Sequence, residues 1–234
     1  DIAAMRNLAR LDPRVDQQVP YMLTIFCGGV PTHETAEKIA GYFGKEEKDL
    51  DIFRFRGEGW PGATHVHTKS GETFELTYDQ AWLRGGDYPW TYDVQFRCKI
   101  CPDAIGVLAD VALPDCWIMV DGKPIHEEDD GWNVIVARTV KGAALIDDAV
   151  VAGYVSREPY EVAEFDIQHQ EHAWRKQAAL ARGLGMALKG QPRPTYENLR
   201  LLRCAISGGL GWSWRNFTGM LRRVRQGKNR EPAV

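Results

Sequence analysis

The spacing of apolar residues along the chain sets out its architecture. "PYMLTIFCGG" (20 to 29) reads as a strand that ends in Cys-Gly-Gly. Thr32 is then placed to cap a helix whose apolar residues Ala36, Ile39, Ala40 and Phe43 recur at i, i+3, i+4 and i+7. "LDIFRFR" (50 to 56) is the next strand, and "ATHVHTK" and "ETFELTY" flank Lys69-Ser70-Gly71 as a hairpin. "DQAWLRG" and "DAIGVLAD" read as short helices, "CWIMV" and "WNVIVAR" as strands, and "KGAALIDDAVVAG" as a helix closed by Gly153. From residue 162 onward the pattern is helical, broken by the Pro-rich "GQPRP" (190 to 194). The expected fold is α/β, a mixed sheet with flanking helices plus an all-helical C-terminal extension. The expected domains are 1–156, the α/β body, and 157–234, the extension.

Composition narrows the class without changing this picture. At 234 residues with 44% hydrophobic and 26% charged content, a folded core is expected. A formal net charge of −3 gives no reason to expect nucleic acid as partner. No apolar run approaches the roughly 20 residues that span a bilayer, and "DIAAMRNLARLD" lacks the apolar stretch of a signal peptide. Five irregularly spaced cysteines argue against a disulfide scaffold and for a reducing, cytoplasmic setting. The chain begins at Asp1 without Met and is expected to be part of something longer.

Three motifs carry candidate chemistry. The first, "RCKICPD" (97 to 103), holds a Cys-x-x-Cys pair that suits a thioredoxin-like dithiol, half of a zinc site, or part of an iron–sulfur cluster. His65 and His67, on one face of a strand at i, i+2, keep a mixed zinc site open. The second, "RFRGEGWPG" (54 to 62), follows a strand directly. Its glycines allow backbone to approach a flat or phosphorylated ligand while Arg54 and Arg56 meet negative charge, although a Gly-Pro loop around a packed Trp60 has the same pattern. The third, "ADVALPDCW" (109 to 117), brackets a short apolar strand with Asp110 and Asp115.

Taken together, "FCGGVPTHETAEKIA", "FRFRGEGWPG", "RCKICPDAIGVLADVALPDCW" and "GWNVIVARTVKGAALIDDAVVAGYV" resemble the C-terminal domain of the coenzyme F420 hydrogenase/dehydrogenase beta-subunit family, over roughly residues 20 to 200. The resemblance implies an iron–sulfur flavoprotein oxidoreductase that binds FAD and a 4Fe-4S cluster. Its electron partner would be coenzyme F420 or a ferredoxin, and it would act on a substrate or a partner oxidoreductase subunit. Cys27, Cys98 and Cys101 would be cluster ligands, with Cys116, Asp103 or a cysteine of another segment as the fourth. Arg54, Arg56, Gly57, Gly59, Trp60 and Gly62 would hold the flavin, with Asp110 and Asp115 as further contacts. Cys204 is expected to be a buried structural thiol. The chain departs from the family where Pro114-Asp115-Cys116-Trp117 replaces a Gly-Asp-x-Trp element, and in lacking the Cys-rich N-terminal segment of longer members, so a reduced cluster content is expected. A non-catalytic or zinc-binding structural subunit is the alternative. The basic "LRRVRQGKNR" (221 to 230) is a solvated end or a dock for an acidic ferredoxin.

Overall fold

A computed structural model describes residues 1–82 and 94–230. Helices α1 (Ile2–Leu11) and α2 (Arg14–Gln18) lead into strand β1 (Leu23–Thr24), helix α3 (His33–Tyr42) and a 3-10 turn at Glu47–Asp49. Strands β2 (Leu50–Gly57), β3 (Ala63–Thr68) and β4 (Thr73–Leu76) follow, then helices α4 (Tyr78–Trp82) and α5 (Phe96–Ile100). The short strands are β5 (Val111–Ala112), β6 (Asp115–Cys116), β7 (Ile118–Val120), β8 (Lys123–Ile125), β9 (Trp132–Asn133) and β10 (Val136–Ala137). Helices α6 (Val140–Val151), α7 (Val162–Leu188), α8 (Leu201–Gly208) and α9 (Leu210–Arg225) complete the chain. The fold is α/β with a helical C-terminal region, as the periodicity predicts. The end of the helix expected at "DQAWLRG", residues 83 to 85, lies outside the described residues.

Compactness groups the chain into two interleaved units. The first comprises Asp1–Gly28, Phe96–Asp115 and Asn133–Val234; the second comprises Gly29–Gln95 and Cys116–Trp132. The helices beyond residue 157 therefore count with the N-terminal segment, whereas the sequence division at 156 follows the change of periodicity alone.

In the first unit, β5 pairs in parallel with β1 and antiparallel with β10. Buried Asp110 ties this small mixed sheet together. Its Oδ2 accepts the Met22 N–H (2.9 Å) and lies 3.3 Å from Lys141 Nζ; its Oδ1 accepts the Thr139 hydroxyl (2.9 Å) and lies 3.3 Å from Arg6 Nη2. Thr139 in turn caps α6 by accepting the Gly142 N–H. A Cβ on Gly142 would stand 2.2 Å from the Asp110 carbonyl oxygen, so only glycine lets α6 start this close to the sheet. Small residues do the same on α7. Ala178, Ala179, Ala181 and Gly185 are buried, and a Cβ on Gly185 would meet Met220 of α9 at 3.0 Å.

Two sequence expectations are corrected in this unit. "DAIGVLAD" is a succession of turns rather than a helix, because the Asp103 carboxylate accepts the N–H groups of Val107 (2.6 Å) and Leu108 (3.1 Å) and Gly106 is left-handed at φ +62. The strand expected over residues 20 to 29 is paired only at Leu23–Thr24. Beyond it the backbone turns to join another segment, with Cys27 N–H donating to Ala104 O at 2.9 Å.

In the second unit, β2, β3 and β4 form an antiparallel sheet whose hairpin matches the period-2 expectation. Ile39, Val66, Leu76 and Ala81 are its buried core, with Phe43, Leu50, Phe53, Phe55, Phe74 and Trp82 packed around them.

Candidate functional site

The first unit holds four of the five cysteines and brings three of them together. Cys27 follows β1, while Cys98 and Cys101 lie on and just after the short α5; none is in a disulfide, and all are half-buried. Arg175 of α7 joins them, donating from Nη1 to Cys27 O (2.8 Å) and from Nη2 to Cys98 O (2.9 Å). Further along α7, Arg182 donates to Lys99 O at 2.6 Å, and Tyr196 donates its hydroxyl to Ile100 O at 2.7 Å. These donors satisfy the carbonyls of one turn of chain and hold that turn in place. Burial raises the Cys101 thiol above its ordinary pKa, with nearby Arg175 opposing the shift and Cys27 adding to it. Burial also pushes the Tyr196 hydroxyl up to about 12.

Soft thiols carried by neighbouring segments suit an iron–sulfur cluster or zinc. Of the proposed fourth ligands, Asp103 spends both carboxylate oxygens capping Val107 and Leu108. Cys116 belongs to the second unit. Cys204 is half-buried rather than fully buried as expected, and acts electrostatically on Lys176.

Sequence reasoning missed a pair of histidines beside the thiols. His172 and His169 lie about one and two helical turns before Arg175 on α7, each within 5.7 Å of the Phe26 ring, and Phe26 precedes Cys27. His172 Nδ1 is buried without a hydrogen-bond partner, and the buried His169 ring meets the Asp115 backbone. Burial lowers the pKa of both, His172 to about 4, so they are neutral at pH 7. Asp115, at the end of the first unit, counteracts the shift at His169. The only sequence signal was the i, i+3 spacing.

In the second unit, the loop after β2 packs on itself and on the rings of Tyr78 and Trp117. The Arg56 guanidinium lies 5.0 Å from the Trp60 ring, 5.3 Å from Tyr78 and 5.7 Å from Trp117, and its Nε donates to Pro61 O. Trp60 stacks on Trp117 at 4.9 Å, and His126 stands edge-on to Trp117 at 4.5 Å while holding Asp79. A Cβ at Gly62 would meet Gly57 N at 2.8 Å, and one at Gly57 would meet Arg54 Cδ at 2.7 Å. At Gly59 a Cβ would approach only Glu128 Oε1, at 3.8 Å. Arg54 and Gly59 therefore form the open edge of the loop, with Arg54 paired to Glu58 at 3.0 Å.

The other expected residues are placed elsewhere. Asp110 lies in the first unit with two donors on each oxygen, so its carboxylate is filled by the fold. Burial alone would raise its pKa, but the Met22 N–H, Thr139, Lys141 and Arg6 outweigh burial and hold it low. His65, on β3, places Nδ1 3.1 Å from Glu75 and Nε2 3.2 Å from Gly57 O. An exposed trio, His33, Glu37 and Glu47, brings its ligand atoms within 4.8 Å of one another beside a cleft of about 360 Å³ lined by Phe53 and Phe55.

The chain belongs to the family described as the C terminus of the beta subunit of coenzyme F420 hydrogenase/dehydrogenase, which matches residues 1–163. Both the thiol loops and the glycine loop fall within that match; α8, α9 and most of α7 lie beyond it. The chain is also similar to the coenzyme F420 hydrogenase subunit beta of Methanothermobacter thermautotrophicus, 36% identical over 67 residues, which cover 29% of this chain and 20% of that protein.

Among the described residues, no helix is long and apolar enough to cross a membrane.

Proposed function

We propose that the chain is the electron-transfer portion of an iron–sulfur flavoprotein oxidoreductase. It would relay electrons between coenzyme F420 or a ferredoxin and a substrate or partner oxidoreductase subunit, through FAD and a 4Fe-4S cluster. The observation that supports this most is the gathering of Cys27 and Cys98 by the single Arg175 guanidinium, with Cys101 beside them. Cys27, Cys98 and Cys101 would hold the cluster. At the flavin, Arg54 and Gly59 would meet an anionic, flat group at the open edge of their loop, while Arg56, Trp60, Gly57 and Gly62 would keep that loop rigid. When bound, such a pair of groups interconverts two-electron and one-electron transfer. The chain's own residues supply position and charge: Arg175 and Arg182 fix the thiol-bearing turn by its carbonyls, and the Arg175 cation favours thiolate over thiol at Cys101.

Anaerobic purification followed by absorption spectroscopy and iron, sulfide, zinc and flavin analysis tests this reading. Bound flavin with iron and sulfide is expected, and Cys98→Ser or Cys101→Ser should remove most of the iron. A colourless sample carrying zinc and no flavin would replace this reading with a zinc-binding structural subunit.

A further inference from the structure

Helices α8 and α9 carry a surface that the proposed electron transfer does not use. Leu202 and Ile206 lie one turn apart on α8, and Leu210 and Trp214 one turn apart on α9, the two helices being separated by Gly209 at φ +85; they are exposed by 66%, 70%, 89% and 67%. Soluble surfaces scatter single apolar side chains, and a large exposed pair on each of two consecutive helices goes beyond that scatter. Between Arg203 and Arg215 no residue is charged, and arginines flank this stretch on both sides. Residues 198 to 230 hold eight basic side chains and no acidic one, so with the total at −3 the rest of the chain carries −11. Among the described residues none of these eight cations forms an ion pair with a carboxylate. The inner faces of the two helices are already committed: a Cβ on Gly208 of α8 would meet Gln177 of α7 at 3.0 Å, and on α9 Asn216 and Met220 are buried, Asn216 accepts from Arg182 of α7, and Trp212 donates to Trp174 O. The exposed apolar pairs are therefore surplus to packing within the first unit, and both helices lie beyond the family match.

We propose that α8 and α9 form an interfacial element that docks this protein on an anionic lipid surface. Exposed apolar pairs that include a Trp, bordered by unneutralised arginines, have the composition of helices lying in the headgroup plane: the apolar side chains enter the acyl boundary while guanidinium groups meet lipid phosphates. Charge complementarity selects this occupant over a second copy of the chain, whose matching surface would set eight like charges against eight. The strongly negative remainder is repelled by the same lipids, so the attraction rests on residues 198 to 230.

Flotation of the purified protein with vesicles tests the proposal. Binding to phosphatidylcholine mixed with phosphatidylglycerol should exceed binding to phosphatidylcholine alone by at least tenfold and fall steeply with salt, with a blue shift of tryptophan emission. The Leu210→Gln/Trp214→Gln double variant should lose at least tenfold in binding while keeping its circular dichroism and melting temperature, since both side chains are exposed. Arg222→Gln/Arg225→Gln should weaken binding to the mixed vesicles and leave the weak binding to phosphatidylcholine as it is. No binding to mixed vesicles, or binding that neither double variant alters, overturns the proposal. So does a stable oligomer in solution that Leu210→Gln/Trp214→Gln converts to monomer, because the apolar pairs would then belong to a protein interface. None of these readouts depends on bound flavin or iron, so the proposal and the electron-transfer reading fail separately.

Discussion

The thiol region of the first unit and the glycine loop of the second are both candidate sites, but they are made in opposite ways. Arg175 reaches Cys27 across 148 positions and Cys98 across 77, and Tyr196 reaches Ile100 across 96. The glycine loop ties its own backbone to near neighbours, with Arg54 on Glu58 four residues away, Arg56 on Pro61 five away and His65 on Gly57 eight away, and reaches farther through Arg56 and Trp60, on Tyr78, Trp117 and Asp129. A region assembled from distant segments has a geometry only as secure as its few long-range ties, each of which offsets a large loop-closure entropy. A locally closed loop keeps its shape through φ angles and steric fit, so its weak points are glycines rather than hydrogen bonds.

The largest effect expected from this contrast is at Arg175. Arg175→Ala removes two charge-assisted hydrogen bonds to half-buried carbonyls, each contributing about 1.5–3 kcal/mol. Denaturant unfolding should therefore show a loss of at least about 3 kcal/mol, and iron uptake on reconstitution should fall with it. Arg175→Lys reaches one carbonyl at most and should recover only part of either loss. Unchanged stability in Arg175→Ala would mean that the thiol-bearing segments are held by something other than this tie.

Next is Gly62, where the second unit should be most fragile. At φ +82, with a Cβ 2.8 Å from backbone nitrogen, Gly62→Ala adds conformational strain to a collision that no flexible side chain can relieve. A cost of about 2–3 kcal/mol is expected. Gly59→Ala, at φ +126 but with open space around it, should lose only the conformational part, about 1 kcal/mol. Equal losses at the two positions would remove the steric half of the argument.

His172 sharpens the contrast through pH. Its folded pKa of about 4 lies below the ordinary imidazole value of about 6.5, so the unfolded chain binds the proton first. The stabilising effect of keeping it neutral is complete above about pH 6.5 and is lost as pH falls toward about 4. With allowance for its partial exposure the loss is on the order of 2 kcal/mol. His172→Phe, which keeps a ring against Phe26, should show a flatter stability profile between these pH values than the wild type. His169, also depressed, lies 5.8 Å from His172 ring to ring and couples to it electrostatically, so the difference between the profiles reports the pair. Parallel profiles would show that His172 is accessible to protons in the folded state.

Legibility in the sequence divides along the same line. The hairpin at Lys69-Ser70-Gly71, the start of α3 after Thr32 and the close of α6 near Gly153 were readable because each depends on local periodicity and turn chemistry. The thiol-bearing segments could be suspected from Cys-Gly-Gly and Cys-x-x-Cys, but nothing local announces that an arginine some 150 residues later joins them. Asp110 was read as a candidate ligand contact because a motif shows a carboxylate but not the four donors that fill it. "DAIGVLAD" looked helical because its apolar spacing fits a helix. The deciding facts were that Asp103 turns back on its own backbone and that a left-handed Gly106 lies against Thr24.

The smallest stability effect is expected at Arg54, where the contrast bears most directly on the flavin. Arg54 is half exposed and pairs with exposed Glu58 at i, i+4, an interaction worth no more than about 0.5 kcal/mol. Arg54→Ala should therefore unfold at nearly the same denaturant concentration as the wild type. The side chain also borders Gly59, where the loop faces open space, so an anionic group held there would lose a charge-assisted contact contributing about 1.5–3 kcal/mol. Titration of added FAD, followed by quenching of flavin fluorescence, should then show an affinity roughly ten- to 150-fold weaker, the fold-change that corresponds to that energy. Arg56→Met provides the converse: it removes the cation from among three rings, costs about 1–2 kcal/mol of stability, and alters flavin affinity only as far as the loop loosens. If Arg54→Ala binds FAD as tightly as the wild type, the loop's only arginine at an open edge does not meet the cofactor. The glycine loop would then be a structural turn, and a flavin of this protein would have to be held elsewhere.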